Sequence, residues 1–318
     1  MRWFGGLLGL MIIGLAAQPA AAVAAPAQCG RTCLYQVLDR YLAALKAKDP
    51  SRAPFAAQVR TSENNVALKV GDGLWGTITG LGDYQLKFAD PQTGGIGFYG
   101  VVQEAQTASP FAVRLKVAGG RITEVETVVA RPQDAGIPFV NANEAAVPEL
   151  EEMLAPDQRS SRARMIALAN GYFDTLQRND GTLHTTFDDQ CNRREDGFQT
   201  TNNPDAKYSR VMGLGCAAQF KLGYYHFDDR LRARRFMVVD EARGLVMTAA
   251  FIDHSGRMGE YTLTDGSKET SNYRRPHSLC LLETFKIKAG KIQRVEALFT
   301  SVPYRMPSPW IGDGRGSE

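Results

Sequence analysis

The stretch SLCLLETFKI puts a carboxylate where packing would call for an apolar side chain. Read as a strand, it alternates Leu281, Glu283, Phe285 and Ile287 onto one face. A carboxyl among such neighbours is desolvated, which raises its pKa toward the range useful for a general acid or base. The bland alternative is a Glu paired with an Arg or turned to solvent. His254, in AAFIDHSG, is a second candidate base; all four histidines (His184, His226, His254, His277) fall in the second half of the chain, and imidazole exchanges protons near neutrality. Tyr261 or an arginine would then stabilise developing negative charge.

Binding candidates lie in the same half. TTFDDQCNRREDGFQTTNNP surrounds Cys191 with charge; Asp189, Arg193 and Glu195 are candidates to point into a cavity, the remainder to cap turns and pair locally. In RLRARRF, alternation puts Arg232 and Arg234 on one face, where either Arg234 or Arg232 would hold a phenolate or carboxylate. Tyr225, with Tyr224, Phe227 and Tyr261, would wall an apolar pocket. Asp253 is matched with Glu104 of the first half as a shared polar strand end.

Other chemistries lack their motifs. No histidine pair has HxH or HxxxH spacing and no cysteines form CxxC, so no metal is expected. There is no phosphate loop, GxGxxG or GxSxG, and the expected chemistry uses no cofactor. Net charge is +3, with basic and acidic residues interleaved, which argues against nucleic acid as a partner.

The N-terminal MRWFGGLLGLMIIGLAAQPAAAVAAPAQCG reads as a signal peptide over residues 1–24: one Arg, an apolar run, then Pro19 and small residues. No other run approaches the roughly 18 apolar residues of a membrane span. The mature chain is expected to be secreted or periplasmic, without stable membrane insertion. Export makes disulfides available to the five cysteines: Cys191 with Cys216, Cys29 with Cys33, and Cys280 left as a buried free thiol.

The elements that must position these groups come as a repeat. Leu34, Val37, Leu38, Tyr41, Leu42 and Leu45 recur at one offset as Met165, Leu168, Ala169, Tyr172, Phe173 and Leu176, the spacing of a helix packed on a core. GRITEVETVV (120–129) matches GKIQRVEALF (290–299), each after an alternating strand, FAVRLKV or LLETFKI. Reverse turns at FADPQTG and VVDEARG join further strands. Each copy is therefore an α+β unit, a helix covering a curved antiparallel sheet. The expected domains are 25–131 and 161–306, joined by a Pro- and acid-rich linker (132–160) and followed by a tail (307–318). Extra length in the second copy, around NNPDAKYSRVMGLGCAAQFKLGYYHF and GRMGEYTLTDGSKETSNYRRPHS, suggests functional loops.

YLAALKAKD closing the first helix, and GRITEVE and GKIQRVE opening the last strands, resemble the NTF2-like (SnoaL-like) superfamily over most of residues 30–305. DDQCNRREDG, TTNNP and VVDEARGLV look like an uncharacterised secreted two-repeat family within it. The resemblance implies two tandem cone domains, each a curved sheet with helices, and a hydrophobic pocket. Superfamily members include cofactor-free isomerases, dehydratases, cyclases and a lyase acting on lignin-derived dimers, alongside members that only bind. The leading expectation is a cofactor-free lyase or isomerase acting on a hydrophobic, aromatic or polycyclic small molecule, with Glu283 or His254 as base. The alternatives are a small-molecule-binding protein of the cell envelope, and a homo-oligomer formed through the exposed sheet.

Overall fold

A computed structural model describes Met1 and residues 29–132, 134, 139–143, 145–203, 205, 209–271 and 273–311. The expected signal peptide lies outside the described residues, apart from Met1. The first half runs α1 (Arg31–Lys46), β1 (Phe55–Glu63), β2 (Val66–Ala67), α2 (Leu74–Thr77), β3 (Ile78–Asp90), β4 (Gly95–Glu104), β5 (Thr107–Ala118) and β6 (Arg121–Val129). After α3 (Pro148–Glu151), the second repeats the order: α4 (Arg162–Arg178), β7 (Phe187–Glu195), β8 (Phe198–Gln199), α5 (Cys216–Lys221), β9 (Arg230–Asp240), β10 (Leu245–His254), a hairpin of β11 (Glu260–Thr262) and β12 (Lys268–Thr270), β13 (His277–Lys288) and β14 (Lys291–Val302).

Each half forms a six-stranded sheet, in the orders β2-β1-β6-β5-β4-β3 and β8-β7-β14-β13-β10-β9. The tandem α+β architecture is as the repeat implies. The sheets are mixed, because β1 runs parallel to β6 and β7 parallel to β14. The hairpin turns are the expected ones, and each needs a glycine in the left-handed region, Gly94 at φ +73° and Gly244 at φ +66°. A Cβ on either would strike a carbonyl oxygen of the neighbouring strand, that of Val117 or Ile287.

Helix α1 buries Leu34, Val37, Leu38, Tyr41, Leu42 and Leu45 against one face of its sheet, and α4 buries Met165, Leu168, Ala169, Tyr172, Phe173 and Leu176 against the other sheet. Ser161 caps α4 by accepting from Arg164 N, and left-handed Asn179 ends it. The remaining sheet faces pack on each other. Tyr84, Leu86, Phe88, Tyr99 and Val101 of the first half share an apolar cluster with Val238, Leu245, Met247, Leu282 and Leu298 of the second. The face expected to be free for self-association is thus covered within the chain.

Ion pairs mirror the repeat across this interface. Arg31 at the start of α1 grips buried Asp240 of the second half, and Arg162 at the start of α4 grips buried Asp90 of the first. Each aspartate also accepts from a backbone amide of the opposite half, Ala89 N at 3.3 Å to Asp240 and Val239 N at 3.2 Å to Asp90. The segments between and after the repeats pack on them: Leu150 joins the interface cluster, and Trp310 donates to Ser62 Oγ at 2.8 Å between the guanidinium groups of Arg60 and Arg114. Among the described residues, no helix is long and apolar enough to cross a membrane.

Candidate functional site

The second half encloses a cavity of about 380 Å³ between α4, the inner face of its sheet and the two insertions. The matching place in the first half leaves about 30 Å³, around Tyr41, Glu63, Trp75 and Thr127. There Trp75 fills the space, its ring 5.7 Å from that of Tyr41 and 6.0 Å from that of Phe55. In the second half the inserted chain stands back as a wall. Cys216, bonded to Cys191 on β7, anchors α5 beside the cavity.

Glu283 lies on β13 in the cavity wall, 4% exposed, on the same apolar face as Leu281, Phe285 and Ile287. Burial pushes its carboxyl up to about 8, helped by the charge of Glu195 and opposed by Arg193 and by a hydrogen bond from Tyr172. The strand register pairs Glu283 with Ala297 and Thr248, so no charged side chain stands opposite it on the neighbouring strands.

Arg193 is buried on β7, where a guanidinium is costly to hold unless it is paired. Three donations hold it: Nη1 donates to Tyr172 Oη at 3.2 Å, and Nη2 to Gln219 Oε1 at 2.5 Å and to Tyr225 Oη, while Nε is buried without a hydrogen-bond acceptor. Gln219 is itself fixed, its Nε2 donating to the carbonyls of Thr200 (2.7 Å) and Val211 (2.8 Å). Glu195 stands 3.7 Å from Arg193 Nε. Positioning of this group therefore depends on α5, and hence on the disulfide.

His254 ends β10, 1% exposed, with its ring 4.4 Å from that of Tyr273 and 4.8 Å from that of His277. Nδ1 lies 3.1 Å from the Phe227 carbonyl, an acceptor only, so Nδ1 carries the proton. Burial pulls the imidazole down to about 4, leaving it neutral at neutral pH. Beside it, Asp228 is buried in the cavity lining, and burial first, then the charges of Glu195 and Asp229, hold its carboxyl well above the usual range.

Of the residues singled out in the sequence, Glu283, His254, Arg193, Glu195 and Tyr225 line the one cavity. Tyr261 does not. Its hydroxyl donates to the Tyr224 carbonyl at 2.9 Å and its ring packs on His226 and Phe227 from behind. Asp189 is exposed on β7, in the stretch between Phe187 and Asn192 where the register against β14 shifts and the strand's alternation is broken. Arg234 pairs with Asp174 of α4 at 2.5 Å over the Phe173 ring. Nor do Arg232 and Arg234 share a surface: a bulge with Ala233 at φ +56° breaks the alternation, and Arg232 turns to Asp253 and the Phe251 ring. Both expected disulfides are formed and Cys280 is a buried free thiol.

The strand registers also correct the match between copies. Gly80 opposite Gln103 corresponds to Arg230 opposite Asp253, and Ile78 opposite Glu104 to Asp228 beside His254. Glu104 therefore matches His254, one place beyond Asp253. Asp228, which sequence reading passed over, stands where the first half has buried Ile78. The signal that would find Asp228 is an ionisable residue at a position apolar in the other copy, visible once β3 and β9 are aligned.

A sequence model of a domain of unknown function (DUF8021) matches residues 158–299, the part of the chain that holds the cavity. A search of curated proteins found no match. Solved structures similar to this chain include a cystatin-like-fold protein of unknown function from Methylobium petroleophilum PM1, 14% identical, covering 41% of this chain and 97% of that one at a TM-score of 0.29. An NTF-2-like protein of unknown function from Burkholderia xenovorans LB400 is 7% identical and covers 35% of this chain and 97% of that one, TM-score 0.27. A Catenulispora acidiphila DSM 44928 protein with a ketosteroid isomerase-like fold is 16% identical, covering 29% of this chain and 83% of that one, TM-score 0.21. Both halves of this chain carry the helix-on-curved-sheet arrangement implied by the NTF2-like resemblance.

Proposed function

We propose that the second half is a cofactor-independent lyase or isomerase that acts by proton transfer on an aromatic or polycyclic small molecule, with Glu283 as the base. The observation that carries this reading is a carboxyl buried in the wall of an otherwise largely apolar and aromatic cavity, its pKa pushed up to about 8. Such a group accepts a proton far more strongly than an ordinary carboxylate, and near neutrality a fraction is ionised and ready to do so.

In the proposed step the Glu283 carboxylate removes a proton from an activated C–H bond. Isomerisation returns that proton to another carbon; elimination expels a leaving group with the bonding pair while Glu283 keeps the proton until water takes it. The positive charge of Arg193, held by Tyr172, Tyr225 and Gln219, supports the ionised base and offsets negative charge developing in the cavity. His254, neutral and with Nδ1 committed to a backbone carbonyl, serves as a positioning residue in the wall. The first half, its pocket filled by Trp75, is the structural partner. We also propose that the chain is exported, a reading supported by the N-terminal leader sequence and the two disulfides.

The test is mass spectrometry of a mixed aromatic and terpenoid extract incubated with wild-type protein and with Glu283→Gln. A compound consumed by the wild type alone supports the reading. A compound retained by both and converted by neither points to a binding protein and overturns it.

A further inference from the structure

One wall of this cavity has a chemistry that proton transfer at Glu283 does not use. Tyr224, Tyr225 and Phe227 come from a single turn between α5 and β9. Their ring centroids are 5.2, 5.6 and 5.9 Å apart, and their planes cross at 83°, 88° and 66°, so the three rings meet as the faces of a corner. Tyr273 extends the wall, 5.0 Å from Phe227. The negative face of an aromatic ring attracts a cation placed over it, and rings at right angles can share one.

The charges around the corner point the same way. Asp228 follows directly on Phe227, is buried, and among the described residues forms no ion pair with Lys or Arg; its charge-capable partner is His254 at 3.3 Å, a neutral ring whose Nδ1 proton goes to the Phe227 carbonyl. Across the lining, the carboxyls of Asp228, Glu195 and Glu283 face the single guanidinium of Arg193, and that guanidinium already spends its Nη donors on protein acceptors. It also lies 5.1 Å above the Tyr225 ring, leaving Tyr224 and Phe227 as the rings open to another charge. An anionic ligand would meet three acids and, from Arg193, only the Nε–H, which makes no hydrogen bond and has Glu195 beside it at 3.7 Å. A cation would find aromatic faces and a carboxyl that regains its charge when a positive neighbour is supplied.

We propose that the cavity takes an organic cation, an amine or quaternary ammonium carried on an apolar aromatic body, with the charged nitrogen seated against Tyr224, Phe227 and Asp228. This names the substrate class of the site proposed above and rests on that reading. Calorimetry of the full chain with benzyltrimethylammonium and with its uncharged isostere neopentylbenzene separates the two claims. The cation should bind about tenfold tighter, and Asp228→Asn and Phe227→Leu should each remove most of that preference, read as the ratio of the two probes' affinities within each variant. Equal or tighter binding of the isostere, or a preference that survives both substitutions, overturns the cation and leaves the cavity reading intact. Binding of neither probe overturns both.

Discussion

Asp228 Oδ1 lies 3.3 Å from His254 Nδ1, on the two positions where the first half pairs Ile78 with Glu104. The first half keeps its one acid at the sheet's edge, where Glu104 accepts from Arg131 and Thr77. The second half turns the same corner inward, and the imidazole gives its proton to the Phe227 carbonyl rather than to the acid.

His254 should therefore resist protonation. Its folded pKa, near 4, lies below the unfolded value of about 6.5. The stability it allows is complete above about pH 6.5 and falls away toward pH 4, as the unfolded chain takes up a proton that the folded one refuses. Nitrogen-detected NMR should show the Nδ1–H tautomer down to about pH 5, and His254→Gln should recover up to about 3 kcal/mol of the acid-side loss. An imidazolium signal at pH 6 would contradict this.

Glu283 acts in the opposite direction on the pH axis. Its folded pKa, about 8, exceeds the unfolded value near 4.5, so the folded state holds a proton that the unfolded state releases. Wild type should lose stability from about pH 4.5 to 8 relative to Glu283→Gln, by on the order of 5 kcal/mol in full. Denaturant midpoints of the two proteins across that range give the difference directly. Turnover that depends on the ionised base should rise through an apparent pKa near 8.

The mirrored pairs Arg31–Asp240 and Arg162–Asp90 clamp one interface. Removing either arginine leaves a buried carboxylate facing the other half without its cation. Arg31→Ala and Arg162→Ala should each cost about 2 kcal/mol, less than a fully buried pair because both arginines are partly exposed. The double variant should be at least additive in a denaturation series, and each half expressed alone should aggregate through the uncovered apolar face. A first half that stays monomeric and folded by itself would argue against the interface as the main support.

The disulfide Cys191–Cys216 closes a loop of 25 residues' separation, whereas Cys29–Cys33 spans four. Loop entropy gives the longer link about 3 kcal/mol and the shorter one less. Replacing Cys191 and Cys216 together with Ser should lower the denaturation midpoint accordingly. It should also weaken binding in the cavity, since α5 carries Gln219, which holds Arg193. Loss of stability without loss of binding would show that α5 keeps its place unaided.

Much of this molecule was legible in its residues. The recurrence of Leu34 to Leu45 as Met165 to Leu176 located both helices, the matched strand pairs gave both sheets, and Glu283 stood out because its neighbours on the strand face are all apolar. Asp228 was missed because it precedes the strand pattern and became comparable with Ile78 only through the register of β9 against β10. Tyr261, Asp189 and Arg234 were chosen by residue type near the right segments. Residue type does not say on which side of a hairpin, a pleat or a bulge a side chain emerges.

The repeat and its helix and strand periods can be read along the chain, since periodicity acts over a few residues at a time, whereas the pairing of Cys191 with Cys216 is fixed only where β7 and α5 meet. Tertiary structure decided which copy keeps a cavity, because that depends on whether Trp75 or an inserted wall occupies the space over Tyr41 and Tyr172. It also decided the protonation of Glu283, Asp228 and His254. A pKa shift follows from burial and from charges brought close by distant segments, here Arg193 and Glu195 on β7 facing Glu283 on β13, and neither is written in the order of residues along one strand.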